Sequence, residues 1–279
     1  MDEVLDWLLT GDPAVRWQAE RDLTGGPWAT TRRDVPNGWA GAILAHRRPD
    51  GTWPTGWYSP KWTSTFYSTQ VLQQLGVPVP ESVQAMLDRG LHDGHFRLWE
   101  AQHDDACVTA MMLTMACAED VPMPGAVERL LELQLADGGW NCRRDASHSS
   151  VHSTLSALEA LGDHPAAAAG REFLLRHRLF RSHRTGHVMR SEFTRFSFPT
   201  YWYYDVLRAL DYWRDHPWDD RLLEAVEVVQ TKAVHGRWRL QNPHRGRTWV
   251  DMEEVGHPSR MVTLRALRVL KWADQPSKT

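Results

Sequence analysis

Apolar residues recur at intervals of three and four along most of the chain, and no stretch alternates convincingly with period two. That pattern predicts helices throughout and no substantial sheet. The helical stretches come in pairs. Residues 3–9 and 13–23 make the first, the second member opened by Asp12 as N-cap with Pro13 at the first helical position. A loop rich in Gly, Thr and Arg leads to a helix over 39–45. Another spans 63–75, stopped by Gly76 and Pro78. Four further pairs follow: 83–91 with 105–118, 127–135 with 150–161, 166–177 with 200–212, and 221–234 with 259–272.

Turn signals separate the members of each pair. Asp50-Gly51-Thr52-Trp53, Asp93-Gly94-His95-Phe96, Asp137-Gly138-Gly139-Trp140, Gly186-His187-Val188 and Gly236-Arg237-Trp238 return at intervals of about 45 residues, a spacing of repeats built from helix pairs. The second helix of each pair is the more apolar and is expected to line the inside. The fold predicted is therefore all-α, an (α/α)6 toroid of about six helical hairpins forming a single domain over 1–279. The long loops before the inner helices should share one mouth of the ring, where helix N-termini give a positive field. Lys61, Arg143, Arg144, Arg190, Arg195 and Arg260 fall near that mouth and would welcome an anionic group, unless they pair with rim aspartates.

Charge and composition narrow the function classes. Net charge is −3, with Lys and Arg scattered among Asp and Glu, so a nucleic acid is not an expected partner. The apolar runs are short and the first residues acidic, which argues against a transmembrane segment or signal peptide and for a cytoplasmic protein. Cys107, Cys117 and Cys142 are too few and too irregular for a disulfide framework, leaving thiols for metal or chemistry. Fifteen Trp suit either planks between repeats or the wall of an apolar pocket.

Candidate chemistry concentrates at Gln102-His103-Asp104-Asp105-Ala106-Cys107, which runs into the apolar helix from Val108. Inside a continuous helix Asp105 and Cys107 would point about 200° apart. At a helix entry, where the chain is still near-extended, i and i+2 share a side, and the dipole favours carboxylate and thiolate. The plainer alternative makes Asp104 an N-cap, Asp105 a first-turn acid and Cys107 a small buried residue. His148 and His152 mark the next inner-helix start. Tyr58, Trp62, Phe66, Tyr201 and Trp202 sit at other inner-helix starts, where rings either wall a cavity and stabilise cationic character or simply pack.

Gln134-Leu135-Ala136-Asp137-Gly138-Gly139-Trp140 resembles the Q-x-x-D-G-G-W repeat of squalene and oxidosqualene cyclases and of protein prenyltransferase β subunits, and the degenerate copies extend the likeness over most of the chain. The resemblance implies an α/α toroid with an apolar central cavity. It does not fix the function, because cyclases, prenyltransferases and thioester-containing complement domains share that fold.

Two site motifs of the superfamily compete for the same residues. The cyclase D-x-D-D-T-A motif would place the protonating acid on Asp104, although Gln102 replaces its leading Asp and Ala106-Cys107 its Thr-Ala. The prenyltransferase pattern, D-x-C at one inner-helix start and His at a following one, matches Asp105-Ala106-Cys107 and Val151-His152-Ser153. It implies a Zn²⁺ held by Asp105, Cys107 and His152 with one open position. The leading expectation is an enzyme (transferase, isomerase or lyase) acting on an apolar, isoprenoid-like small molecule that carries or lacks an anionic group. Asp104 or His148 would move its protons, and Tyr58, Trp62, Phe66, His103, Tyr201, Trp202 and Arg260 would contact it. Metal-free acid catalysis by Asp104 is the second hypothesis. A non-catalytic toroid binding a lipid or protein is the third, and a partner subunit stays open.

Overall fold

The computed structural model describes residues 2–99, 105–143 and 145–274. Among them thirteen α-helices follow one another: α1 (Asp2–Leu9), α2 (Pro13–Ala19), α3 (Trp28–Thr31), α4 (Trp39–Leu44), α5 (Thr65–Leu75), α6 (Pro80–Gly90), α7 (Ala106–Ala118), α8 (Ala126–Glu132), α9 (Val151–Leu161), α10 (Ala167–Arg176), α11 (Val206–Trp213), α12 (Leu223–Thr231) and α13 (Arg260–Ala273). A two-stranded hairpin of β1 (Leu91–His92) and β2 (His95–Phe96) makes the Asp93-Gly94 turn. It is too short to show a period of two in the sequence.

Helix contacts close a ring. The inner helix α5 packs on α7, α7 on α9, α11 on α13, and α13 on α2. The remaining gaps are bridged by side chains. Trp17 Nε1 and Gln18 Nε2 of α2 donate to the carbonyls of Leu75 and Gln74 at the end of α5, and Arg208 of α11 pairs with Glu159 of α9. The outer helices α1, α4, α6 and α12 pack on the inner helix that follows each of them, and α8 and α10 pack on the inner helix before them, α7 and α9. Six hairpins in a closed ring are what the repeat predicts.

The inner helices all start at one mouth, because each hairpin returns in the same sense. α7 shows why they are inside: Ala106, Val108, Thr109, Ala110, Met111, Met112 and Leu113 are all buried, an all-round apolar surface that only the middle of a layered structure can hide. Three differences from the predicted elements have local causes. The helix expected over 13–23 leaves α geometry at Ala19 and widens into one turn over Glu20–Thr24, closed by Gly25 at φ +69°. The Gly/Thr/Arg-rich loop holds α3 and a 3-10 turn at Arg32–Asn37, both too short to show periodicity.

The third difference matters most. The helix expected over 200–212 begins only at Val206, because Asp205 caps it, accepting the Arg208 and Ser197 backbone N–H groups. The residues before it enter the ring. Arg265 of α13 donates to the Ser197 carbonyl, Gln74 Oε1 of α5 accepts from the Thr200 N–H, and Gln70 Nε2 of α5 donates to the Tyr201 carbonyl. Since α2 separates α13 from α5 in the ring, one segment bonded to both must cross the interior. Phe196, Phe198 and Tyr201 are buried there. The chain's own aromatic segment thus fills part of the central cavity that the resemblance implies, and what stays open between the inner helices is a largely polar pocket of about 350 Å³ lined by Gln18, Gln74, Glu159, Arg208, Asp211 and Arg265.

Candidate functional site

The residues expected to hold zinc face three different neighbours. Asp105 is the extended N-cap of α7, and its charge falls on the Tyr58 hydroxyl. Helical geometry begins at Ala106, so Cys107 is already the second residue of the helix, and the i, i+2 alignment that needs extended backbone is lost. Cys107 turns the other way and is joined by a disulfide to Cys142, whose sulfur also takes a hydrogen bond from Ser153. His152 turns toward α11 and sits among Phe193, Trp202 and Tyr204. Among the described residues no group of three or more His, Cys, Asp and Glu side chains is arranged to hold a metal ion. The donor set Asp105, Cys107 and His152 therefore does not fit Zn²⁺.

The disulfide also corrects the expectation of three free thiols. It ties the start of α7 to the loop after Trp140, enclosing 35 residues of sequence separation. Cys117 is the free, exposed cysteine. Thiol titration of denatured, unreduced protein should therefore find one reactive thiol per chain, that of Cys117. Three would show that Cys107 and Cys142 are not paired.

Asp104 and His103, the expected acid and its neighbour, lie outside the described residues, as does Gln102. The aromatic candidates do come together, but on one another. Tyr58 contacts Phe66 and Tyr67, while Trp62 stacks on Tyr201 with centroids 4.5 Å apart and meets Tyr67 edge-on. Trp62 Nε1 donates to the Arg245 carbonyl, and Lys61 lies 4.9 Å over the Trp202 ring. Trp62, Phe66 and Tyr201 are buried in this cluster, so their rings pack the mouth rather than wall an open space. Arg260 is elsewhere: its guanidinium lies 4.6 Å over Trp7 and donates to the Trp7 carbonyl, which locks the last helix to the first.

An open cleft of about 510 Å³ lies beside the mouth, between the start of α9 and the end of α10. His148 and His152 both line it, although α9 starts only at Val151 and leaves His148 in the loop before it, so the two do not share a helical turn. Its rim carries Arg143, Arg176, Arg184 and Arg190, and Val151, Phe173, Met189 and Phe193 supply apolar surface. Arg143 pairs with Asp145, but Arg176, Arg184 and Arg190 make no ion pair among the described residues. Asp137, from the Gly-Trp turn, is engaged by the backbone N–H and hydroxyl of Ser149. Burial pushes its pKa up, but those hydrogen bonds outweigh it and hold the carboxyl below its ordinary value.

His152 is the most perturbed group of the cleft. Burial pushes its pKa down to about 4, Arg208 and Arg190 push the same way, and the Trp202 backbone opposes them. Its Nδ1 is buried with no hydrogen-bond partner. His152 is therefore a neutral imidazole near pH 7. His177 and His183, which the sequence reading passed over, line the same cleft. A signal was there, because Arg176-His177-Arg178 and Arg181-Ser182-His183-Arg184 put six basic or imidazole side chains within nine residues. They fall at a helix end and in a loop, where no periodicity draws attention to them.

No family model matches the chain, and no curated protein does. Solved structures are similar to it at low identity. A protein from Actinoplanes shares 16% identity over 94% of this chain and 90% of its own, with a TM-score of 0.49. The ent-copalyl diphosphate synthase from Streptomyces platensis shares 14% over 92% of this chain and 48% of its own, with a TM-score of 0.46. The type II terpene cyclase MstE from Scytonema shares 11% over 84% of this chain and 95% of its own, with a TM-score of 0.33. Among the described residues no helix is long and apolar enough to cross a membrane.

Proposed function

We propose that the protein is an enzyme of terpene-cyclase type acting on a small, isoprenoid-like molecule with an anionic head, bound in the cleft between α9 and α10. The observation that carries this is the cleft lining, in which Arg176, Arg184 and Arg190 form no ion pair among the described residues and stand beside the apolar surface of Val151, Phe173, Met189 and Phe193. Unpaired guanidinium groups recognise an oxyanion, and the apolar side chains take a hydrocarbon part. The pocket left inside the ring has its arginines Arg208, Arg265 and Arg268 already paired with Glu159 and Asp211, which supports the outer cleft as the place of binding. The Asp137-Gly138-Gly139-Trp140 turn and its degenerate copies support the superfamily.

In this reading Asp104 supplies the proton, because it immediately precedes the cap of α7 in sequence and holds the position of the cyclase acid. His152, a neutral imidazole beside Phe193 and Trp202, would offer the anionic head no charge and would face the hydrocarbon part instead. The test is turnover of isoprenoid alcohols and their phosphate esters by the purified chain, with Asp104→Asn and Arg176→Ala alongside. Asp104→Asn should abolish turnover with an unchanged far-ultraviolet spectrum. Arg176→Ala should raise KM for the phosphate ester about tenfold, the loss of one charge-assisted contact, with little change in kcat. Full activity in Asp104→Asn would remove the acid role. Binding of the esters without turnover would leave a ligand-binding toroid.

A further inference from the structure

Two imidazoles in the cleft fix the positions of each other's protons. His177 follows the last residue of α10, and its Nδ1 lies 2.8 Å from the Arg181 carbonyl oxygen. A carbonyl only accepts, so the His177 proton is on Nδ1 and its Nε2 is bare. His183 Nδ1 lies 3.2 Å from His177 Nε2 and must donate to it. Neutral His183 then has an unprotonated Nε2, on a residue exposed at the cleft. Phe173 packs on His177 with centroids 4.7 Å apart, and the two imidazoles meet edge-on, so His177 cannot flip without losing both bonds.

The charged and titratable groups facing this pair are Arg176 on α10, Asp137 and His148 before α9, His152 on α9, and Arg184 and Arg190 on the following loop. Behind the Arg181 carbonyl, the Arg181 guanidinium is paired with Glu224. Burial holds His177 below its ordinary pKa, with His183 and Arg176 adding to that, while the Arg181 carbonyl and Asp137 oppose it. The arginine excess disfavours any further positive charge in the cleft. An oxyanion seated among these arginines cancels the opposing charge and reverses that preference.

We infer that His177 and His183 form a proton-accepting dyad that couples oxyanion binding in the cleft to uptake of one proton on His183 Nε2. The inference rests on the proposed ligand occupying this cleft. The proton comes from water or buffer and its arrival adds one positive charge to His183. Nε2 changes from acceptor to donor and faces the oxyanion, while Nδ1–H stays on His177, which acts as the positioning residue. No covalent bond to the ligand forms or breaks.

Sulfate is the probe, because it stays unprotonated near neutral pH and any proton taken up on binding must land on the protein. Calorimetric titration of the full chain with sulfate, in buffers of different ionisation enthalpy, should show binding accompanied by proton uptake. His183→Gln should bind several-fold more weakly with the uptake abolished. Uptake that persists in His183→Gln overturns the dyad and leaves the anion-binding cleft standing. Absence of any sulfate binding overturns both. Long-range nitrogen-15 spectra of the unliganded chain at mildly alkaline pH should place the proton of both imidazoles on Nδ1, and an Nε2–H form of either one overturns the dyad whatever the ligand does.

Discussion

Replacing Asp211 by Asn is expected to destabilise the protein by about 3–5 kcal/mol, the cost of removing one partner from a buried ion pair. Asp211 lies on α11 and accepts from Arg265 and Arg268 of α13, with Arg214 3.4 Å away. Arg268 also reaches Asp22 at 3.2 Å, just beyond α2. Asp211 thus ties α11 to α13, and Asp22 ties α13 to the turn after α2, where the ring closes. The neutral amide leaves Arg265 and Arg268 buried with reduced compensation, and Asp22 retains only part of the work. Urea unfolding at neutral pH should show a lower midpoint with an unchanged slope. A shift below about 1 kcal/mol would mean that the network is solvated and carries little of the closure.

The same carboxylate carries a pH signature. Burial pushes its pKa up, but Arg268 and Arg265 outweigh that and bring it to about 2, against an ordinary value of 3.8. A depressed folded pKa means that the contribution is complete above the unfolded value. It is lost as pH falls through the folded one. The wild type should lose about 2 kcal/mol from this group between those limits, and Asp211→Asn should lose nothing there.

How much of this was legible in the sequence depends on whether a feature has a period. Six hairpins and the turn tryptophans repeat, so the ring could be read from spacing alone. The segment at 196–204 has no repeat equivalent, and its aromatic residues look like an amphipathic helix start. Only the tertiary bonds to Gln70, Gln74 and Arg265 show that it crosses the interior. The metal triad failed for a local reason. One residue of helix onset, Ala106 rather than Cys107, decides whether Asp105 and Cys107 share a side. Helix ends are the least determined feature of a pattern, and any site whose geometry depends on an end inherits that uncertainty. His148 and His152 both line the cleft although α9 starts only at Val151, so it is the path of the loop before α9, which has no period to read, that brings His148 there.

Trp140→Ala is expected to cost about 3–5 kcal/mol, the cost of emptying a buried aromatic site. Trp140 has no exposed surface, and Thr154 Oγ1, at the start of α9, accepts its backbone N–H at 3.0 Å. Its indole Nε1 donates to the Leu130 carbonyl of α8 at 2.7 Å, one of the carbonyls a helix end leaves unsatisfied. The tryptophan therefore joins the end of an outer helix to the start of its inner partner. Gly139 leaves room for the junction, since a Cβ there would lie 2.5 Å from Thr154 Oγ1. Trp53 repeats the arrangement with Ile43 and Thr65, and Trp238 with Val229 and Thr263. At Phe96 the ring is buried, but Phe has no indole N–H to donate. Trp140→Phe separates the two contributions: it keeps most of the apolar burial and strands the Leu130 carbonyl, so it should cost about 1–3 kcal/mol, the price of one unsatisfied buried acceptor. Thermal melts of both variants test the ordering, Ala below Phe below wild type. An Ala variant that melts with the wild type would show that these repeated junctions do not hold the ring.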